Sequence, residues 1–129
     1  MRRNLIIRTA LALTVPFNLL AAFLFALPGS LLGRFAGLPA DVPPLYCALV
    51  ALFLMLFAGA YAWLLFQATI SRPLLAFTAI GKSLAFFTFI LLWLLRVGPV
   101  SAALGSIGDA VLAGVFAWWL LGSEKPRDA

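Results

Sequence analysis

Four long apolar runs dominate the chain: Leu5 to Leu27, Leu45 to Phe66, Pro73 to Leu95 and Ser101 to Leu121. Each matches the roughly 20 mostly apolar residues that an α-helix needs to cross a bilayer. The polar positions fall between them as punctuation. Pro28-Gly29 ends the first run, Pro43-Pro44 precede the second, Ser71 to Pro73 opens the third, and Gly98-Pro99 separates the third from the fourth. Proline in a first helical turn gives up no needed hydrogen bond, so these signals mark starts and stops of helices. The links after the second and third runs are short, which predicts an up-down series of antiparallel neighbours for the last three spans.

The first connection is longer. In "SLLGRFAGLPADVPP" Leu31, Leu32, Phe35 and Leu38 recur at helical spacing while Arg34 points elsewhere, and Gly37, Pro39 and the double proline stop the pattern. This predicts a short amphipathic helix over residues 30–37, its apolar side set against the acyl region or the top of the bundle. A lid over a pocket between helices is the functional alternative. The predicted fold is therefore all-α, an integral membrane four-helix bundle with a short interfacial helix between spans one and two, forming a single transmembrane domain over residues 1–129. The basic N-terminus followed by an apolar core has the layout of a secretory signal. Its apolar run exceeds the about 7–15 residues of a signal core and Leu-Pro-Gly is a poor cleavage site, so it is expected to stay as the first span.

Composition sharpens this picture. The chain is 65% hydrophobic and 10% charged, against about 45–50% apolar residues in soluble domains. The net charge of +5 comes from basic residues scattered at helix ends, not gathered on one face, so no nucleic-acid partner is expected. Their distribution is a topology signal instead. Arg2, Arg3, Arg72, Lys125 and Arg127 fall on one side with Arg8 near it, and Arg34 and Arg96 on the other. Both termini are therefore expected in the cytoplasm, with the chain in the inner (plasma) membrane. Trp63, Trp118 and Trp119 fit the inner interface; Tyr46 and Trp93 fit the outer one. Histidine is absent and Cys47 is the single cysteine, which excludes a disulfide within the chain, a CxxC pair, bis-histidine haem ligation and the common zinc sites. With no Ser/His/Asp set, phosphate loop or metal-spaced carboxylate pair, the sequence predicts neither an enzyme nor a cofactor.

The candidate chemistry lies in the few polar residues inside the apolar runs. An ionisable group near a helix centre costs about 2.5–3.5 kcal/mol on insertion scales, so such groups face the bundle and find partners. Asp109 lies about 18 Å from the inner end of span four, and Lys82 about 13 Å into span three. Ala102, Ser106, Ala113 and Ala117 step by three or four residues from Asp109 in one small-residue stripe, while Leu104, Ile107, Val111 and Val115 cover the rest of that helix. Asn18 and Thr88 lie near the depth of Asp109 and can donate to it. Side-chain lean draws Lys82 and Asp109 apart along the axis, so Lys82 is expected just below a layer of Asn18, Thr88 and Asp109, with Tyr61 joining it. Three readings stay open: the layer glues the helices in register, it borders a pocket for a lipid or quinone-like molecule, or Asp109 is a protonatable carboxylate serving transport. Pro16 either kinks span one or opens space for a ligand, and phenylalanines such as Phe86, Phe87 and Phe89 read as ordinary lipid-facing or core residues. The stretch "RPLLAFTAIGK" and the Gly-Asp of span four stand out as motifs without a named activity.

At "FALPGSLLGRFAGLPADVP" the chain resembles the small bacterial four-helix membrane proteins grouped as DoxX-like, in which span one ends in a proline-marked surface helix closing with Gly-Leu-Pro. The resemblance implies a multi-pass inner-membrane protein, in some members an accessory to respiratory or thiol-linked redox systems. It supplies no site residue here, since the chain has neither a cysteine pair nor a histidine. The expected function is that of an accessory or interaction subunit holding a hydrophobic small molecule; the alternative is a proton-coupled small-molecule transporter using Asp109. Expected partners are the lipid bilayer, that molecule, and further copies or a larger membrane complex. The charge asymmetry makes a direct prediction: a reporter fused after Ala129 reads cytoplasmic and one inserted between Gly37 and Asp41 reads external. An external C-terminus would break the four-span topology.

Overall fold

Five helices follow one another in chain order among the described residues: α1 (Arg2–Ala26), α2 (Leu31–Phe35), α3 (Pro44–Phe66), α4 (Arg72–Leu94) and α5 (Val100–Leu121). They are taken from a computed structural model that describes residues 2–122. α1, α3, α4 and α5 are each long and apolar enough to cross a membrane. α1 begins at Arg2, three residues before the apolar run, because backbone hydrogen bonding continues a helix past the last apolar side chain. α3, α4 and α5 each begin one residue earlier than their runs for the same reason. Lys125 and Arg127, which the sequence places at the cytoplasmic end, lie outside the described residues.

The helix ends show why the chain turns where it does. Prolines sit in the first turns of α3 and α4, where an N–H would lack an intrahelical acceptor. Ser30 caps α2, its hydroxyl accepting from the Gly33 N–H at 3.1 Å. α2 then stops in a left-handed residue, Gly37 (φ 72°): its N–H reaches Arg34 O at 2.9 Å and the Leu38 N–H reaches Gly33 O at 3.0 Å, closing the 5→2 and 6→1 bonds of a Schellman turn. α4 ends in the same way with Arg96 (φ 59°) in the left-handed position and Val97 bonded to Leu92 O at 3.0 Å.

Three arginines, Arg3, Arg8 and Arg72, close helix ends on one side of the bundle. Arg8 donates to Leu65 O (2.6 Å), Gln67 O (2.7 Å) and Ala68 O (3.1 Å), covering the open carbonyls at the end of α3. Arg3 donates to Trp118, Trp119 and Gly122 carbonyls, and Arg72 to Leu120 O at 2.5 Å, covering the end of α5. A cation at a helix C-terminus also meets the negative end of the macrodipole. Arg3 and Arg72 stack over Trp118 and Trp119, 5.0 and 5.7 Å from the ring centroids.

α1 packs most closely on α3 and α4 on α5; the two pairs meet more loosely along α1/α5 and α3/α4, and α1 faces α4 across the bundle diagonal. Small buried residues, among them Ala22, Ala51 and Ala58 in the first pair and Ala79, Ala103 and Ala113 in the second, permit the close approach. The up-down order expected of α3, α4 and α5 is present, yet α3 and α4 touch least among neighbours, mainly where Phe57 stacks on Phe77 at 5.9 Å. The half of the bundle holding the arginine caps is filled by Ile7, Leu11, Tyr61, Leu64, Leu75 and Phe116, all at most 1% exposed. In the α2 half the buried residues are small.

α2 is shorter than the residues 30–37 read from the sequence. It rests on the bundle by its glycine: a side chain at Gly33 would strike the Pro28 carbonyl, and one at Gly37 would lie 2.7 Å from Ser101 Oγ. The Ser101 hydroxyl donates to Ala36 O, tying α2 to the start of α5. Leu31 and Phe35 are 85% and 90% exposed, so the apolar side of α2 turns outward and does not pack on the top of the bundle. The two left-handed positions predict opposite effects. Gly37→Ala should destabilise the fold by about 1–2 kcal/mol, whereas Arg96→Gly should stabilise it by up to about 1 kcal/mol, read as shifts in the denaturation midpoint of the detergent-solubilised protein.

Candidate functional site

Asn18 from α1, Tyr61 from α3, Lys82 from α4 and Asp109 from α5 come together at the bundle centre. Lys82 Nζ donates to Asp109 Oδ1 at 2.6 Å and to Asn18 Oδ1 at 3.2 Å, and Asn18 Nδ2 donates in turn to the Leu54 carbonyl of α3 at 3.4 Å. The pair is deeply placed, the lysine side chain 4% and the carboxylate 15% exposed. The ammonium also lies 5.0 Å from the Phe17 ring centroid and 5.2 Å from that of Tyr61, close enough for attraction to both π faces.

Two glycines flank this pair, Gly81 near the end of "RPLLAFTAIGK" and Gly108 in the Gly-Asp of span four. A side chain at Gly81, just before Lys82, would come within 3.2 Å of the Phe57 ring; one at Gly108, just before Asp109, would come within 3.0 Å of the Phe17 ring. Each glycine lets an aromatic ring lie flush against the helix beside a charged neighbour.

The structure corrects several details of the sequence reading. Lys82 does not stop below Asp109; its four-carbon stem extends against the helix lean and pairs directly. Thr88 is exposed and takes no part. It lies six residues beyond Lys82, about 240° round the helix, so the two cannot share a face. Asn18 does not donate to Asp109: its amide group goes to Leu54 O and its oxygen receives Lys82. On α5 the buried positions are Ala103, Ser106, Ala113 and Phe116, with Ala102 and Ala117 half-buried. Val115 packs against the core cluster and does not face outward. Pro16 is exposed and lines neither of the cavities described next.

Beyond the ion pair, toward α2, the bundle is open. A cavity of about 430 Å³ runs between α1, α3 and α4, with Phe17, Phe25, Phe53, Phe57 and Phe89 on its walls and Asn18, Lys82 and Asp109 at its polar end. A second, of about 250 Å³, lies between α1, α5 and the segment after α2, and Asp109 lines it as well. Phe25 and Phe89, ring centroids 6.3 Å apart, belong to both. These phenylalanines, Phe89 among them, are the functional candidates that the sequence reading missed. The available signal was the i, i+4, i+8 recurrence of Phe17, Ala21 and Phe25 on α1, flanked by Asn18. Among the described residues no cluster of three or more Cys, Asp or Glu could hold a metal, and Cys47 is buried in the first turn of α3, its thiol 3.8 Å from Val42 O.

Comparison of the chain with protein-family models, with curated proteins and with solved structures gives no match.

An apolar cavity that ends in a charged pair can hold an elongated apolar molecule with a small polar head, and it can do so without metal or covalent chemistry. The pair itself is testable. Removing either partner leaves a buried uncompensated charge, whereas removing both does not. Lys82→Met and Asp109→Leu together should therefore destabilise less than the sum of the single changes, with a coupling of at least about 0.5 kcal/mol in a double-mutant cycle. Strictly additive losses would mean that the two groups are satisfied independently.

Proposed function

We propose that the chain is a multi-pass protein of the inner membrane, both termini cytoplasmic, that holds a lipid or quinone-like molecule in the cavity above Lys82 and Asp109 and serves as an accessory subunit. The wide apolar exterior supports the membrane setting. Leu13, Leu56, Leu84 and Val111, each from a different long helix, are about 60% exposed, a surface that lipid covers at no cost and water does not. The exposed Leu31 and Phe35 of α2 fit a helix lying in the interface with its apolar side toward acyl chains. The resemblance to DoxX-like proteins agrees with a small membrane subunit and adds no residue to the site.

The observation that carries the ligand reading is the cavity of about 430 Å³, apolar along its length and polar at one end. This lies within the about 300–1,000 Å³ usual for small-molecule sites. A pair serving only as glue between helices is better closed over by packed side chains, as the arginine-capped half of this bundle is. The transporter alternative asks for a carboxylate that exchanges protons with both sides of the membrane. Here Asp109 is held by an ammonium at 2.6 Å and the half below is a filled core, which favours holding over transport.

The test is native mass spectrometry of protein extracted in a mild detergent. It should carry a co-purifying hydrophobic molecule, and Ala21→Phe, which fills space shared by both cavities, should lower that occupancy at least about tenfold while leaving the melting midpoint unchanged or raised, since it fills a void. Equal occupancy in the two proteins would place the bound molecule on the outer surface and overturn the reading.

A further inference from the structure

The polar end of the cavity is selective in what it leaves unsatisfied. Asp109 Oδ1 receives Lys82, but Oδ2 has no hydrogen-bond partner among the described residues, and Asp109 lines both cavities. Of the nearby donors, the Tyr61 hydroxyl, which lines the larger cavity, makes no hydrogen bond among the described residues and does not reach Oδ2; the others are engaged elsewhere. The Ser106 hydroxyl donates to Ala103 O at 2.7 Å, the Asn18 amide to Leu54 O, and the ammonium is divided between Asp109, Asn18 and the rings of Phe17 and Tyr61. A carboxylate oxygen only accepts hydrogen bonds. Whatever completes this site must therefore bring a donor.

Charge narrows the class further. Among the described residues, Lys82 and Asp109 are the only charged ones lining the larger cavity, and Asp109 is the only one lining the smaller. Their charges cancel. An anionic head would meet a lysine already matched and an open carboxylate oxygen; a cationic head would bring a second positive charge beside Lys82. Either would bury net charge among phenylalanines, which is costly. A neutral ester, ether or ketone escapes that cost and matches the Tyr61 hydroxyl, but leaves Oδ2 without a donor; a hydroxyl head both donates to Oδ2 and accepts from Tyr61. Resting on the reading of the cavity as a hydrophobic-ligand site, we infer that its ligand is an uncharged amphiphile whose head is a hydroxyl group, an alcohol or a phenol, donating to Asp109 Oδ2 while its apolar body lies along Phe53, Phe57 and Phe89. Such a bond to an ionised acceptor is stronger than one between neutral groups.

The experiment compares probes matched in their tail. Purified protein in nanodiscs receives, in pairwise competition at equal mole fraction, oleyl alcohol, its methyl ether, oleic acid and oleylamine, and bound adducts are counted by native mass spectrometry. Dioleoylglycerol and a dodecyl phenol form separate arms that distinguish an aliphatic from an aromatic source of the hydroxyl. The alcohol, or one of the two other hydroxyl compounds, should exceed the ether, the acid and the amine by at least about tenfold, the effect of one hydrogen bond to a charged group. Asp109→Asn leaves Lys82 unmatched and should reverse the order, oleic acid overtaking the alcohol. Should that variant fail to fold, the wild-type series decides alone. Equal binding of alcohol and ether would mean that water occupies Oδ2 and would overturn the inference while keeping the cavity reading; preference for the acid or the amine in the wild type would overturn it as well. Absence of any adduct, ether included, would remove the cavity reading and the inference with it.

Discussion

The contact on which the bundle depends is the 2.6 Å pair between Lys82 and Asp109. Neither charge is tolerable alone in an apolar interior, and the pair is tolerable only if the remaining bonding capacity is used. That requirement reaches every long helix. α4 and α5 must be in register for Nζ to meet Oδ1. α1 must present Asn18 across the diagonal, and α3 must offer the Leu54 carbonyl to the Asn18 amide. Lipid gives helices no hydrophobic reason to prefer one register over another, so a shared polar centre of this kind specifies the arrangement more than it stabilises it.

Side-chain size divides the bundle about that centre. On the arginine-capped side, leucine, isoleucine and the rings of Tyr61 and Phe116, 6.0 Å apart, fill the space between all four long helices. On the α2 side, the close pairs α1/α3 and α4/α5 bury alanines within each pair and leave the space between pairs to phenylalanines, which line it without filling it. The closed half also carries the backbone's accounting: Arg3, Arg8 and Arg72 satisfy the final carbonyls of α3 and α5, groups that have no intrahelical donor.

The open half is bounded by α2, which Ser101 and the glycines at 33 and 37 hold against Pro28 and the start of α5. The smaller cavity lies beneath that contact, between Ala36, Leu38 and Ser101. The first connection is thus both an outward-facing apolar step and one wall of the space leading to Asp109. Phe25 and Phe89 stand where the two cavities adjoin, so the carboxylate is approached from two directions and the ammonium from one.

The number, order and approximate ends of the helices were legible in the sequence because they depend on local quantities. Twenty or so apolar residues measure a bilayer wherever they occur, and Pro43-Pro44, Pro73 and Pro99 mark turns through their own backbone constraints. The charged members of the polar centre were also legible, since a lysine and an aspartate in apolar helices must find partners, and Asn18, Tyr61 and Thr88 were candidates by depth. Which of them meet was not. Thr88 was a fair candidate by depth and failed by angle. Asn18 was a fair donor to Asp109 until α3 offered it the Leu54 carbonyl. Phe17 and Phe57 read as unremarkable apolar residues until Gly108 and Gly81 proved to be the surfaces they lie on. Depth along a helix follows from counting residues, but azimuth and the distance between helices depend on how side chains from separate runs interlock. The cavity exists only as what that interlocking leaves empty, so the tertiary structure alone decided it.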